Sequence, residues 1–150
     1  MSILERIGAS FPELKEKDAA QLSPLVLAYM GDCIYDMYVR TLLIQKSDFT
    51  PHKLHLEAAK RVNAGAQARA AEKLLPYCTE KEAAVYKRGR NAHMGTIAKN
   101  ASIADYRAAT GLEAVLGYLY LQKEDDRIAV LMELALAEEN PKKDEPTKEE

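Results

Sequence analysis

Apolar side chains recur along this chain at helical spacing, and they do not alternate with polar ones over any stretch long enough to indicate a strand. The longest apolar run starts at Pro24, directly after Ser23, and continues to about Ile44. A serine followed by a proline is typical of a helix start. A Ser-x-x-Asp pattern at Ser102 opens a second apolar helix, which is predicted to reach Leu121. The pattern therefore predicts an all-α protein.

Three further helical segments are predicted around these two. The first is opened by Thr50 and Pro51 and continues through an alanine-rich stretch. The second starts at Thr79, which has the spacing of a capping box with Glu82. The third is amphipathic and starts at Asp125. The predicted segments are residues 51–75, 80–91 and 125–137.

Length and composition indicate one folded domain with two short flanking segments. The chain has 150 residues, of which 47% are hydrophobic and 29% charged, as in ordinary globular proteins. The last twelve residues, "ENPKKDEPTKEE", carry eight charges and no apolar side chain, which is typical of a disordered tail. We expect a lead segment at 1–19, a domain at 20–138 and the tail at 139–150.

Charge and cysteine usage narrow the class of protein. The formal net charge is -2, so any nucleic-acid surface must be a local one. Residues 24–44 contain three charged side chains and would make a poor membrane span. Cys33 and Cys78 lie far apart without a CxxC motif, so we expect buried thiols in a reducing compartment. The prediction is a cytoplasmic protein without a membrane partner.

Each of the two apolar helices carries a carboxylate in its most apolar part, Asp32 in the first and Glu113 in the second. A carboxylate among apolar neighbours costs roughly several kcal/mol unless it is paired, hydrogen-bonded or bound to a metal. If both face one pocket, they would share a divalent cation, Mg²⁺ or in its place Mn²⁺. Gly31 and Gly117 would let the helices approach closely. The alternative is that each acid pairs with a donor elsewhere.

A local basic segment lies between these helices. Residues 83–104 contain four basic and no acidic side chains, namely Lys87, Arg88, Arg90 and Lys99. Such a cluster suits phosphate contacts, although a solvated helix end that interacts with the helix dipole is the alternative. Together with two acids that could bind a metal, it favours metal-dependent hydrolysis of a nucleic acid.

One further acid and several tyrosines lie on the two apolar helices near this site. Asp36, one helical turn after Asp32, could reach the metal through water or pair with Arg40, and the ion pair is the preferred interpretation. The tyrosines of the apolar helices are interpreted as core or subunit-contact residues; they are Tyr29, Tyr35, Tyr38, Tyr118 and Tyr120.

Two segments of the sequence, "YMGDCIYDMYVR" and "GLEAVLGYLYL", resemble the signatures of the ribonuclease III catalytic domain. The resemblance covers about residues 20 to 137. The "KRGRNA" motif, and a length that leaves no room for a double-stranded-RNA-binding domain, make the Mini-ribonuclease III subfamily the most similar. The resemblance implies a helical bundle that acts as a homodimer. It also implies staggered cleavage of double-stranded RNA to 5′-phosphate products during maturation of the large-subunit (23S) ribosomal RNA precursor.

Carried over by position, the resemblance assigns metal binding to Asp32 and Glu113. Two further carboxylates of the family fall here on Ala28 and Thr110, so water, Thr110 or Asp36 would complete the coordination of a single metal ion. Two other functions remain open. One is a double-stranded-RNA-binding module without catalysis, and the other is a helical interaction protein whose acids are structural.

Overall fold

A computed structural model describes residues 1–92 and 102–137 of the chain. The described part is helical, without strands, and confirms the predicted all-α class. No helix in these two ranges has both the length and the apolar character to cross a bilayer. The helices are α1 (Ile3–Ser10), α2 (Pro24–Lys46), α3 (Pro51–Val62), α4 (Ala64–Leu74), α5 (Glu80–Arg90), α6 (Ile103–Leu121) and α7 (Asp125–Leu136).

The predicted starts of α2, α3, α5 and α6 are confirmed, and each of these helices begins with a side-chain cap. The Ser23 hydroxyl accepts the Leu25 N–H at 3.2 Å at the start of α2. At the start of α5, the Thr79 hydroxyl accepts the Glu82 N–H at 3.1 Å, and the Glu82 carboxylate accepts the Thr79 N–H at 2.9 Å. This reciprocal pair is the capping box that the sequence predicts.

The predicted helix over 51–75 is wrong in one respect, because Asn63 divides it into α3 and α4. The Asn63 side chain accepts the Ala66 N–H at 2.8 Å and donates to the Lys60 carbonyl at 3.1 Å. One residue therefore caps the start of α4 and the end of α3, so two helices meet at an angle where the alanine content favoured a single one.

The lead segment contains a helix, α1, that the sequence analysis did not identify. The Ser2 hydroxyl accepts the Glu5 N–H at 3.1 Å, and the Glu5 carboxylate accepts the Ser2 N–H at 3.0 Å. The Ser-x-x-Glu spacing that predicted α5 is thus present here as well. The predicted tail, residues 139–150, falls outside the described residues.

Helix α6 is the centre of the bundle and packs against α2, α4 and α5. Its contacts with α2 and α5 occur at glycines. A Cβ atom on Gly31 would overlap the Glu113 carbonyl, and one on Gly117 would overlap the Leu27 carbonyl. On the α5 side, a Cβ atom on Gly89 would lie 2.9 Å from the Cα atom of Gly111. The close approach of α2 and α6 is thus the one that Gly31 and Gly117 predicted, whereas the close approach of α5 to α6 at Gly89 was not predicted.

A buried ion pair joins α7 to α5. The Arg127 guanidinium donates to both Glu82 carboxylate oxygens at 2.9 Å and to the Tyr77 carbonyl at 2.7 Å. The Glu82 side chain is almost fully buried. Its hydrogen bonds with Arg127 lower the pKa of this carboxyl, against the opposing effect of burial.

Replacing Arg127 is expected to destabilise the fold. In Arg127→Ala, Glu82 becomes a buried charge without its partner, so the free energy of unfolding should fall by about 3 kcal/mol at pH 7. Because the folded pKa of Glu82 lies below the unfolded value, the pair stabilises the protein above the unfolded pKa, and this contribution is lost as pH falls through the folded pKa. Urea unfolding at pH 7 and pH 3 measures both effects. A difference in the free energy of unfolding between Arg127→Ala and the wild type that is as large at pH 3 as at pH 7 would contradict this account.

Candidate metal centre and RNA-binding surface

The close contact of α2 and α6 brings Asp32 and Glu113 together. Gly31 packs on the backbone of Glu113, so the adjacent Asp32 side chain lies beside the Glu113 carboxyl, and the two are hydrogen-bonded. Glu113 is half-buried, but Asp32 is exposed. The expectation that Asp32 needs compensation for burial is therefore wrong. The position of Asp32 beside Glu113 was predicted, but the buried residue that carries the cost of desolvation is Glu113.

Glu113 holds its proton near neutral pH. Burial raises the pKa of Glu113 to about 8, with further contributions from the charge of Asp32 and the hydrogen bond between them. A second negative charge on the pair is thus unfavourable in this environment. A hard divalent cation would relieve the repulsion of two ionised carboxylates, so the donor set fits Mg²⁺ or Mn²⁺.

The neighbouring oxygen donors are engaged with the protein. The Asp36 carboxylate accepts from the Arg40 guanidinium at 2.9 Å, which is the ion pair preferred from the sequence. The Thr110 hydroxyl is buried and donates to the Tyr106 carbonyl at 3.0 Å. Within the described ranges, no cluster of three or more histidine, cysteine or acidic side chains could hold a metal ion. A cation here would take two protein carboxylates and complete its coordination with water or substrate.

The basic side chains of α5 lie on its exposed last turn. Lys87, Arg88 and Arg90 are exposed, whereas Gly89 between them is buried against α6. This contact includes Ala114, the residue after Glu113, so the basic turn lies beside the helix that carries the acid. Lys99 lies outside the described residues.

Arg88 differs from its two basic neighbours. Its guanidinium donates to the Leu22 carbonyl at 3.3 Å, just before α2 begins. Arg90 contacts only the adjacent Asn91 side chain among the hydrogen bonds observed for its guanidinium, at 3.4 Å. Among the described residues, neither Lys87 nor Arg90 is hydrogen-bonded to a distant part of the fold, so these two are the better placed of the predicted side chains for phosphate.

Helix α2 also has an exposed apolar face, on which Tyr29 lies, one of the tyrosines interpreted from the sequence as core or subunit-contact residues. Tyr29 is 83% exposed and Val26 49% exposed, and Cys33, Met37 and Ile44 follow at helical spacing. The expectation of buried thiols is wrong for Cys33, and Cys78 is only half-buried. Tyr35 and Tyr120 are core residues as predicted. One apolar face of α2 packs in the core, and the other is available for contact with another molecule.

Comparison with known proteins agrees with this geometry. The Ribonuclease III domain matches residues 25–124, a range that includes both acids and the basic segment. A Mini-ribonuclease 3 of Clostridium tetani is 46% identical over 125 residues, covering 83% of each chain. A Mini-ribonuclease 3 of Streptococcus pneumoniae is 45% identical over 117 residues, covering 77% of this chain and 91% of the relative.

The fold is also found in a crystal structure. A protein of Fusobacterium nucleatum superposes with a TM-score of 0.74 at 27% sequence identity, covering 81% of this chain and 97% of the other. The shared helical architecture agrees with the family match over residues 25–124. By domain match, by identity over most of its length and by fold, the chain belongs to the ribonuclease III family, among its Mini-ribonuclease 3 members.

Proposed function

We propose that this protein is an endoribonuclease that cleaves double-stranded RNA with a divalent cation held by Asp32 and Glu113. The observation that carries the proposal is the pairing of these carboxyls, whose mutual repulsion helps to raise the pKa of Glu113 to about 8. A structural role would favour a basic partner, whereas two facing acids suit a cation. The ribonuclease III family is divalent-metal dependent in general, and we propose Mg²⁺, with Mn²⁺ as a substitute.

The residues of the chain have distinct roles in this mechanism. When bound, the cation would supply a water of lowered pKa and offset charge on the scissile phosphate. Asp32 and Glu113 would hold it, and Glu113 would give up its proton when the cation binds. The contact at Gly31 keeps the two carboxyls together, so their separation does not depend on a flexible loop. Family membership supports 5′-phosphate products.

One assay separates this proposal from the alternatives. A labelled RNA duplex is incubated with the protein in Mg²⁺ and, in parallel, with a chelator. We expect cleavage only with Mg²⁺. Duplex retention without cleavage in either condition would indicate an RNA-binding module. Neither retention nor cleavage would indicate a helical interaction protein whose acids are structural.

Metal binding is expected to depend on pH because it competes with a proton. The pKa of Glu113 is about 8, so most of the metal-free protein carries that proton at pH 7. Affinity for Mg²⁺ should rise about tenfold per pH unit below pH 8 and level off above it. Titration calorimetry in buffers of different ionisation enthalpy would show about one proton released per metal at pH 7. Affinity for Mg²⁺ that stays constant from pH 6 to 8 would contradict the raised pKa of Glu113.

The exposed turn of α5 is proposed to contact phosphates of the duplex through Lys87 and Arg90, with Arg88 and Lys99 as further candidates. Replacing Lys87 and Arg90 by alanine should weaken duplex binding and flatten its salt dependence. Each lost contact changes the slope of log K against log salt by about 0.7 to 0.9. The double variant removes two contacts per subunit, and so up to about four contacts in a dimer. Filter binding at several salt concentrations measures the slope.

A matched control replaces two exposed lysines away from this turn. Lys73→Ala with Lys81→Ala removes the same charge from α4 and the other end of α5. We expect this control to retain the wild-type slope and affinity. Equal slopes in both double variants would mean that the last turn of α5 is only a solvated helix end.

We also propose that two copies of the chain form a homodimer through the exposed face of α2. The face begins with Val26 and Tyr29 and continues to Ile44, and a monomer would leave this apolar surface in water. A two-fold dimer would set two metal sites and two basic turns against one duplex. The substrate we propose is the large-subunit ribosomal RNA precursor in the cytoplasm, as the resemblance of the two signature segments implies.

A further inference from the structure

Helix α1 lies outside residues 25–124, where the family domain matches, and it is poorly packed on its own subunit. It has 8 residues; within the part of the chain that the structure describes, none of them is buried and only Leu4 packs against the core. An isolated helix of this length is marginal in water, so its stability must come from tertiary contacts. The visible contacts of its own subunit account for little of it.

Polar contacts tie the lead segment to the connection between α6 and α7 without covering the apolar side chains of the segment. The Ile3 N–H donates to the Asp125 carboxylate at 3.3 Å, and the Lys123 ammonium lies 2.7 Å from the Glu16 carboxylate. Between these anchors, Phe11 is 53% and Leu14 57% exposed. The segment is thus held in position with an apolar side turned outward.

A groove of about 630 Å³ runs between this segment and the start of α2. Leu4, Ile7 and Leu14 line it from the lead segment, and Val26, Tyr29 and Met30 line it from α2. The same Val26 and Tyr29 begin the exposed face of α2. The groove and the face are therefore one continuous apolar surface, so a molecule that covers the face also reaches α1.

The character of this surface favours a second copy of the chain over RNA. Its charged lining residues are two acids and two bases, namely Glu5, Lys15, Glu16 and Lys17. This balance gives no attraction for a polyanion, but it can pair with itself in an antiparallel arrangement. The surface also has a projecting tyrosine next to a recess, and a two-fold contact between identical surfaces requires such self-complementarity.

We propose that α1 is a dimerisation arm, whose apolar side packs on the α2 face of a second copy of this chain while the partner's arm does the same in return. The inference rests on the proposed homodimer and adds to it an element beyond the matched family domain. The arm enlarges an interface that would otherwise depend on α2 alone.

A charge placed in the groove tests the arm. Ile7→Glu should raise the dimer dissociation constant at least tenfold in sedimentation equilibrium. The control Ala9→Glu adds the same charge to an exposed position of α1 that does not line the groove, and it should dissociate like the wild type. Circular dichroism shows whether both variants keep their helices. Equal dissociation constants for Ile7→Glu and the wild type would overturn the proposal, as would a change confined to RNA affinity.

A second variant locates the arm directly. The chain has no tryptophan, so Leu14→Trp places a single reporter on the lead segment. Its emission should shift to the blue as protein concentration rises through the dissociation constant. An unshifted emission in a sample that sediments as a dimer overturns the arm but leaves the homodimer standing. A wild-type chain that remains monomeric overturns both, whereas chelator-sensitive cleavage tests the nuclease proposal independently.

Discussion

Asp32→Asn is expected to reduce RNA cleavage at least about 1,000-fold while the protein remains folded. The amide keeps the shape of the side chain but removes an anionic ligand, and a loss of about 4 kcal/mol of transition-state stabilisation corresponds to this factor. Single-turnover cleavage at saturating Mg²⁺ and RNA measures the effect. Glu113→Gln should behave alike because we propose that both carboxyls hold the same cation.

The control for this prediction is Asp126→Asn, which neutralises an exposed aspartate in the first turn of α7. We expect it to cleave at the wild-type rate. Wild-type turnover in Asp32→Asn would remove that residue from the mechanism. Equal loss in both aspartate variants would point to net charge instead of metal coordination.

Without a bound metal, Asp32→Asn should reduce the loss of folding stability that occurs as pH rises. The folded pKa of Glu113, about 8, lies above its ordinary value near 4.5. Its protonated form therefore contributes stability that is complete below the unfolded pKa and is lost as pH rises through about 8. Without the charge of Asp32, Glu113 ionises more easily and this loss is smaller. Urea unfolding in chelator at pH 5 and pH 8 should show a smaller decline for Asp32→Asn than for the wild type.

Gly31→Ala is expected to destabilise the fold by about 3 kcal/mol or more and to abolish cleavage. The new Cβ atom would overlap the Glu113 carbonyl, which belongs to a helix backbone and cannot move aside alone. Overpacking of a core typically costs about 1 to 3 kcal/mol, and contact with backbone belongs at the upper end. Separating the helices also separates Asp32 from Glu113, and a displacement of about 1 Å can reduce a rate about 100-fold.

Gly65→Ala in α4 is the matched control, because a Cβ atom there would lie no closer than 3.5 Å to its neighbours, which is ordinary van der Waals contact. Alanine is favoured over glycine within a helix by about 1 kcal/mol, so this variant should be as stable as the wild type or slightly more stable. Urea unfolding and single-turnover cleavage compare the two substitutions. Similar stability for both alanine variants would show that the helices separate at little cost.

The helix boundaries that were predictable are those that neighbouring residues determine. Ser23 with Pro24, and Thr79 with Glu82, start α2 and α5 as expected, because a cap is a contact within four residues. The break at Asn63 was not predicted, since asparagine within an alanine-rich stretch is compatible with one helix as well as two. Its two-sided capping depends on the path of the chain, which packing decides.

The pairing of Asp32 with Glu113 was predictable because glycines beside two lone acids indicated a close helix contact. Which side of α2 faces water was not predictable, since Tyr29 and Tyr35 are both apolar in the pattern, yet one is exposed and the other buried. Hydrophobicity alone does not separate a core from a surface intended for another molecule. The same ambiguity led to the wrong expectation for the burial of Asp32 and Cys33.

The glycine contacts of α6 have a consequence for engineering this enzyme. Because α2 meets α6 through main-chain atoms at Gly31 and Gly117, the span between the acids is set by two helix axes and not by the rotamers of intervening side chains. Repacking the periphery, for heat tolerance or a different RNA preference, should leave that span unchanged. Directed evolution can therefore vary the outer faces of α3, α4 and α7 freely, provided that the glycines of the crossing are kept.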